Sequence, residues 1–578
     1  GSRYGDPYLL RQGLLDNTAK NEIDIFNILA TDLNADIKEP TELPLTHFTK
    51  YPMSSMTART SWQNGLNAPT AMAYVNMREV TVGDHQHRDV GAFQLWYKGM
   101  LAIDSGLYEY GEHYGNYQTR SIAHNSVTVT DPDEVYGTYA ADGGQREVKS
   151  FGPYGDMLEE VLASVESGEC ITAKDVKTFY GGGEYSPVFS YISGNIAPAY
   201  TDKIKSYERS FVFINTKNTA YSAALLVLDD LEAASAEFKK KWLLHSQEEP
   251  VISESENKIT IKRTDNGQNG MLVNKTLIPE IGGAAFEKVG GSGKEYYVGD
   301  KNYAPSRSEN GLQFDAGAWR VEISPKNESA KDKFLNVMYV TDADGTAAEM
   351  PVFKEEDKKL INVTLLDKTV VFPKNEKTFA GDFTINVREN GFSEIDVLLC
   401  GLSPGKWSVS KAGKSECAEV LKNEECAYFK LVPGEYTVSK ADEKEIVTAY
   451  TYEEKKEDFG DFLIRKNNNL MYIPKKTVLC DNAPYVAIDG IFTQLGATVV
   501  YKTADKICFN AGNKTYTAYF GGTAEENGTD LFLKHPIKIF DGEFYASPED
   551  FKKPLNLSNI KYDEKARLLI FSWGGAAE

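Results

Sequence analysis

A mainly β protein is what this sequence predicts, and three observations predict it. Short runs of β-branched and aromatic residues recur from about residue 46 onward, clusters of Gly, Asn, Asp and Pro separate them, and helical periodicity is confined to the first forty residues. The expected order is a large antiparallel β-sandwich, a smaller β domain and an α+β module built on a repeat, all preceded by the last helices of a helical domain.

Residues 1–45 carry Tyr8-Leu9-Leu10, Leu14-Leu15 and the set Ile23, Phe26 and Leu29, whose spacing near 3.6 predicts one or two helices over 7–34. Two helices without a partner make a poor domain, so they read as the tail of a helical body upstream. Gly1-Ser2 reads as a cloning remnant. Pro40, Pro44 and Pro52 then punctuate the passage into β structure.

Between residues 46 and 350 the alternating runs are Phe93 to Tyr97, Asn125 to Val129, Ser210 to Ile214, Ala223 to Leu228, Trp242 to His245 and Phe334 to Val340. Turn residues separate them, as expected of a sandwich, and helical signals are nearly absent. Residues 351–455 keep this texture in shorter strands, Val370 to Phe372 and Phe383 to Val387, with turns at Ser403-Pro404-Gly405 and Val432-Pro433-Gly434. The charged run 453–458 is read as a solvated linker.

Residues 456–578 hold an internal repeat. Val499 to Lys502 followed by Asp505 to Phe509 answers Ile560 to Lys565 followed by Leu569 to Phe571, and a helix-like segment precedes each copy, Ile491 to Leu495 and Pro548 to Phe551. This module resembles the copper amine oxidase N-terminal-like domain of extracellular bacterial proteins. Its single histidine, His535, offers no metal cluster, so a spacer or attachment role is expected.

Composition bounds the function. The chain has 578 residues, 41% hydrophobic and 25% charged, with no apolar run near the roughly 18–20 residues of a membrane span. A net charge of -21 argues against nucleic acid, whose phosphates need a basic face. It leaves room for an anionic substrate, because the field in a cleft depends on the charges nearby. The six cysteines are scattered without a CxxC, so neither a disulfide framework nor a cysteine-zinc site is indicated. Free buried thiols are expected, with a local Cys417–Cys426 bridge as the alternative.

The chemistry concentrates in Gly83-Asp84-His85-Gln86-His87-Arg88-Asp89-Val90-Gly91-Ala92-Phe93, continued by Ile103-Asp104-Ser105-Gly106 and Ala123-His124-Asn125-Ser126. Three of seven histidines lie here beside several carboxylates. If the first stretch is extended, His85 and His87 project into one pocket. His87, Asp104 and His124 supply two nitrogens and one oxygen, a donor set suited to zinc with one position left for water. Taken singly, each reads as a buried histidine or a turn cap.

This ordered set, with Tyr97-Lys98-Gly99, Glu208-Arg209-Ser210-Phe211-Val212 and Leu226-Val227-Leu228-Asp229-Asp230, resembles the heparinase II/III-like polysaccharide lyases over roughly residues 7–350. The resemblance implies an α/α toroid packed on the β domain with the substrate cleft between them, of which only the last helices fall in this chain. It implies β-elimination at a uronic acid, with His85 as catalytic histidine, a second metal ligand being the alternative, and His87, Asp104 and His124 as ligands of one ion, zinc or another divalent metal, structural in role. The catalytic tyrosine and the group that neutralises the substrate carboxylate are expected from the toroid, in the same natural protein or a companion chain. Arg59, Tyr117 and Arg120 are expected to contact the acidic substrate, since guanidinium binds carboxylate through paired hydrogen bonds. Alginate is the first expectation for the polymer, and heparin, heparan sulfate or another glycosaminoglycan the second. The protein is expected to be bacterial and secreted or held at the cell surface. The alternative is a non-catalytic carbohydrate-binding or cell-surface β protein with a structural zinc site.

Overall fold

A computed structural model describes residues 8, 11, 38–82, 85–109, 111–137, 139–148, 157–306, 315–379, 381–448, 458–467, 469–564 and 566–573. The helices expected over 7–34 and nearly all of the charged linker lie outside the described residues. Two compact units result. One comprises Gly1–Leu43, Ser61–Ala68 and Lys455–Glu578; the other comprises Pro44–Thr60 and Pro69–Glu454.

The larger unit begins with a five-stranded antiparallel meander: β1 (Thr46–Thr49), β2 (Ser55–Arg59), β3 (Ala71–Asn76), β4 (Phe93–Tyr97) and β5 (Met100–Ala102), hydrogen-bonded in that order. Met56, Ala58, Ala73, Val75, Phe93 and Leu95 turn inward from it. Thr57, Tyr74 and Gln94, opposed across β2, β3 and β4, occupy the other face. A four-stranded sheet holds β6 (Val127–Thr130), Lys239–Ser246, Trp319–Pro325 and Ala284–Gly290. An eight-stranded sheet has Ile204–Asn215, Ala223–Ala233 and Lys331–Asp342 at its centre. All three sheets contribute to one apolar core.

The eight-stranded sheet departs from the expected alternation. Phe211, Phe213, Leu225 and Val227 face the first core, whereas Val212, Ile214, Leu226 and Leu228 face a second one. Both faces are covered, so its strands read as continuous apolar runs. The second cover is the sheet Val352–Glu356, Leu360–Leu365, Lys368–Pro373, Ile395–Cys400 and Cys426–Leu431, which in turn buries its far side against a four-stranded sheet containing Trp407 and Val438. The β regions expected as residues 46–350 and 351–455 thus share a core. One helix that the sequence reading passed over, α1 (Met157–Ser167), sets Val161 and Val165 against Val80 and Cys170. No helix among the described residues is long and apolar enough to cross a membrane.

The smaller unit forms around Phe492, Phe509, Phe544, Phe551 and Phe571. Both copies of the repeat are hairpins, Thr498–Lys502 with Lys506–Ala511 and Leu557–Asp563 with Leu568–Trp573. Short helical turns, Ile488–Phe492 and Pro548–Phe551, lie ahead of them.

Inside the larger unit Arg209 and Asp229 stand opposite each other on neighbouring strands, both fully buried, at 3.4 Å. The Tyr207 hydroxyl donates to Asp229 at 2.6 Å, and Arg209 donates to that hydroxyl at 3.2 Å. Removing one partner strands the other charge away from water. Arg209→Met is therefore expected to lower the unfolding free energy by about 3–5 kcal/mol, read from the urea midpoint at neutral pH.

Candidate functional site

Three segments converge at the end of the meander. The loop between β3 and β4 carries His85 and His87, Asp104 lies two residues past β5, and His124 follows the single turn Ser121–Ala123 that leads into β6. Asn125 fixes their relation. Its side-chain NH2 donates to the carbonyls of Phe93 (2.8 Å) and Ile103 (3.0 Å), and its side-chain oxygen accepts from the backbone N–H of His245 at 2.7 Å. Ser105 N–H donates to the Ala123 carbonyl, which staples the Asp104 segment to the His124 turn.

The histidine loop is anchored at both ends. Arg78, itself buried, donates to the His87 carbonyl and to Asp89 Oδ1, the latter at 2.6 Å. Arg88 N–H donates to the Thr119 carbonyl, Ser121 donates to the Arg88 carbonyl, and Gln145 exchanges two hydrogen bonds with the backbone of Val90. Gly91 has φ +80°, and a Cβ there would meet Ile196 at 2.8 Å, so this bend requires glycine.

The result gathers His87, Asp104 and His124. Their ligating atoms lie within 4.8 Å of one another, the one such group of three or more among the described residues. The His87 and His124 rings are 5.1 Å apart. Asp104 accepts from His124 Nδ1, and His124 Nε2 is buried with no hydrogen-bond partner. Burial and the neighbouring His124 push His87 down to about 4, so its imidazole is neutral, the form that ligates a metal. Burial alone would lower His124 as well, but the Asp104 carboxylate outweighs it and holds that imidazole above its ordinary value. Burial raises Asp89 while Arg78, His124 and His87 pull it down further, leaving a carboxylate below the usual range behind the histidines.

A zinc ion implied by the resemblance can be tested against these atoms. Two nitrogens and an oxygen match its preferred donors, and the orphaned Nε2 is the kind of buried polar atom that a bound cation satisfies. Donors of one tetrahedral zinc are about 3.3 Å apart, so small side-chain rotations close the set. The residues fit the group.

Two family models match the chain: "Heparinase II/III-like, C-terminal" over residues 72–277 and "Heparinase II C-terminal domain" over 354–440. This chain carries the C-terminal domains of the heparinase II/III-like family. No curated protein matches it. Among solved structures it is similar to heparan sulfate lyase HepC from Pedobacter heparinus, at 16% identity and a TM-score of 0.37, covering 62% of this chain and 46% of that one. It is also similar to a heparinase III, the BT4657 gene product, at 15% identity and a TM-score of 0.36 over 61% of this chain and 46% of that one. The chain thus spans less than half the length of these structures.

Within this heparinase II/III-like domain the expected ligand trio comes together, but the histidine loop is irregular. His85 has φ +67° and no strand runs through it, so His85 and His87 diverge where an extended segment would have aligned them. His85 is exposed, with Nδ1 3.2 Å from the Tyr108 hydroxyl, while His87 turns inward to His124. Arg59 ends β2 on the same face of the meander as Tyr74, partly covered, and burial lowers its pKa to about 10.

Two substrate contacts need correction. Tyr117 is 1% exposed and its hydroxyl is 3.0 Å from Ser105 Oγ, so it braces the Asp104 segment. Arg120 is 2% exposed and spent on Asp142 (2.9 Å) and Glu147 (3.0 Å), so it holds the loop behind His124. The sequence reading missed Arg78, Tyr74 and Tyr108. Arg78 lies only nine residues before His87, but nothing local reveals that its guanidinium returns to the loop. Tyr74 lines the small recess that also holds Asp104 and His124.

His113 belongs to the frame around this site. It accepts from Leu107 N–H through Nε2 (3.0 Å) and donates from Nδ1 to the Tyr303 carbonyl (2.5 Å), and burial keeps it below its ordinary pKa. The folded state therefore prefers the neutral imidazole, whose stabilisation is complete above the unfolded value near ~6.5 and declines as pH falls below it. Urea titrations at stepped pH should show His113→Gln flattening this acid slope by up to about 1.4 kcal/mol per pH unit.

Proposed function

We propose that this chain is the β portion of a polysaccharide lyase that cleaves a uronic-acid-containing glycosaminoglycan by β-elimination. The observation that carries the reading is an exposed imidazole, His85, on the same loop as His87 of the convergent trio His87, Asp104 and His124. Of the two polymers expected from the sequence, the family's descriptions favour a heparin-like chain, and no residue of the site favours alginate. Such a polymer is met outside the cytoplasm, so the reading includes a secreted or cell-surface bacterial enzyme.

In the elimination a base removes the proton at C5, the carboxylate is neutralised so that the carbanion is tolerable, and the 4-oxygen leaves with a proton. His85 is the base. The tautomer that serves has Nδ1–H donating to Tyr108 Oη, which leaves the Nε2 lone pair for the sugar. Tyr108 thus fixes the ring in the way an orienting carboxylate does in other dyads. Tyr74 and Arg59 lie on the adjoining sheet face, where an aromatic ring and a guanidinium suit a sugar ring and its acidic groups. His87, Asp104 and His124 would hold a zinc ion, which would tie their three segments together and supply positive charge there. The carboxylate neutraliser and the general acid come from an α/α toroid region, in the same natural protein or a companion chain.

In the natural full-length protein, His85→Ala is expected to lower kcat on heparan sulfate by about 10²–10⁴-fold, followed as ultraviolet absorbance of the unsaturated uronate product. Product from chondroitin sulfate, hyaluronan and alginate read in parallel ranks the polymers. An intact protein that binds heparan sulfate yet yields no unsaturated product would replace the lyase with the non-catalytic binding protein.

Metal content is read without activity. After dialysis against zinc, elemental analysis should find about one equivalent in the wild-type chain and little in His87→Ala or His124→Ala. Arg78→Met, which leaves all three donors in place, should weaken zinc binding about 10–100-fold by releasing the His87 backbone.

A further inference from the structure

The described chain contains a second group of reactive side chains, remote in sequence from the histidine loop. Cys400 ends the strand Ile395–Cys400 and stands directly opposite Cys426, the first residue of Cys426–Leu431. Opposed residues of an antiparallel pair have Cα atoms about 4.5–5.5 Å apart, inside the roughly 4.4–6.8 Å that a disulfide spans. Both side chains point into the apolar layer shared with the eight-stranded sheet, where they face Tyr191. Both are free thiols, and Cys400 is near enough to Cys426 to disfavour its ionisation.

Both thiols are buried, Cys400 with 1% of its surface exposed and Cys426 with none. Cys400 borders a cavity of about 320 Å³ that also reaches Tyr191, Ser193 and Ser210, whereas Cys426 does not line it. The walls hold five carboxylates, Glu208, Asp230 and Glu425 among them, against the two ammonium groups of Lys177 and Lys377. Lys177 pairs with Glu425 and Lys377 with Glu208, so the surplus charge in the cavity is negative.

We propose that Cys400 and Cys426 form a redox-active dithiol that small cationic disulfides reach through this cavity and convert to a cross-strand disulfide. The Cys400 thiolate attacks one sulfur of the small disulfide, forming a mixed disulfide and expelling one thiolate. The Cys426 sulfur then attacks Cys400 Sγ, its proton passing to the second small thiolate, which leaves as a thiol through the cavity. Two protein thiols are oxidised and one small disulfide is reduced to two thiols. The order follows from access, and from burial that pushes the Cys426 thiol well above its ordinary value, making it the slower nucleophile until a neighbouring sulfur is activated.

The experiment uses the reduced full chain, incubated with cystamine or with anionic oxidised glutathione in mildly alkaline buffer, then acid-quenched, alkylated and mapped by mass spectrometry. The expected product is a Cys400–Cys426 linked peptide pair two hydrogens lighter than the dithiol. It should form about tenfold or more faster with cystamine at low salt, the difference shrinking as salt screens the cavity. Cys426→Ser should stop at a stable Cys400–cysteamine adduct. Recovery of both cysteines fully alkylated while the half-buried Cys480 is modified overturns the proposal, as does a wild-type Cys400 adduct that never closes. Equal rates with the two disulfides overturn the route through the cavity. The wild-type result decides the case whether or not Cys426→Ser folds.

Discussion

The buried carboxamide of Asn125 ties β4, the residue after β5 and the strand Lys239–Ser246 into one register, and the trio His87, Asp104 and His124 inherits its geometry from that tie. Each of its three hydrogen bonds satisfies a backbone group that has no other route to water, so losing the carboxamide leaves several polar atoms stranded at once. Arg209 donates to the Asn125 carbonyl at 3.4 Å and packs beneath Gly91. The same buried cation that steadies the eight-stranded sheet thus underlies the histidine loop. Site and scaffold are one hydrogen-bonded body.

Charge is distributed to match. Asp89 and Asp104 set negative charge against Arg78 and the His124 imidazole in a small volume, and His87 remains neutral because burial and the neighbouring imidazole both disfavour its proton. The chain as a whole carries a net charge of -21, which repels a polyanion at long range, so locally placed cations are what such a ligand would need.

Much of this was legible in the sequence. The donor trio was found because two histidines and an aspartate at separated β boundaries have no apolar reason to be there, and the fold class because turn residues bracket short apolar runs. The face of a strand was not legible where both sides are covered: Phe211 to Ile214 looks the same whether it alternates or lies between two layers. The divergence of His85 from His87 depends on a left-handed backbone angle that Asp84-His85-Gln86 does not announce. Tyr117 and Arg120 were misread for a related cause. Proximity to His124 in the chain says nothing about which side of the turn a side chain leaves from, and both leave toward the interior.

The double-sided burial of the eight-stranded sheet has a practical consequence for anyone dissecting the gene. A fragment stopped near residue 350 would uncover Val212, Ile214, Leu226, Leu335 and Val337 together, an oily plateau several strands wide. Such a truncation invites inclusion bodies even if every residue of the histidine cluster is retained, so recombinant boundaries belong after Lys440, where the outermost layer closes.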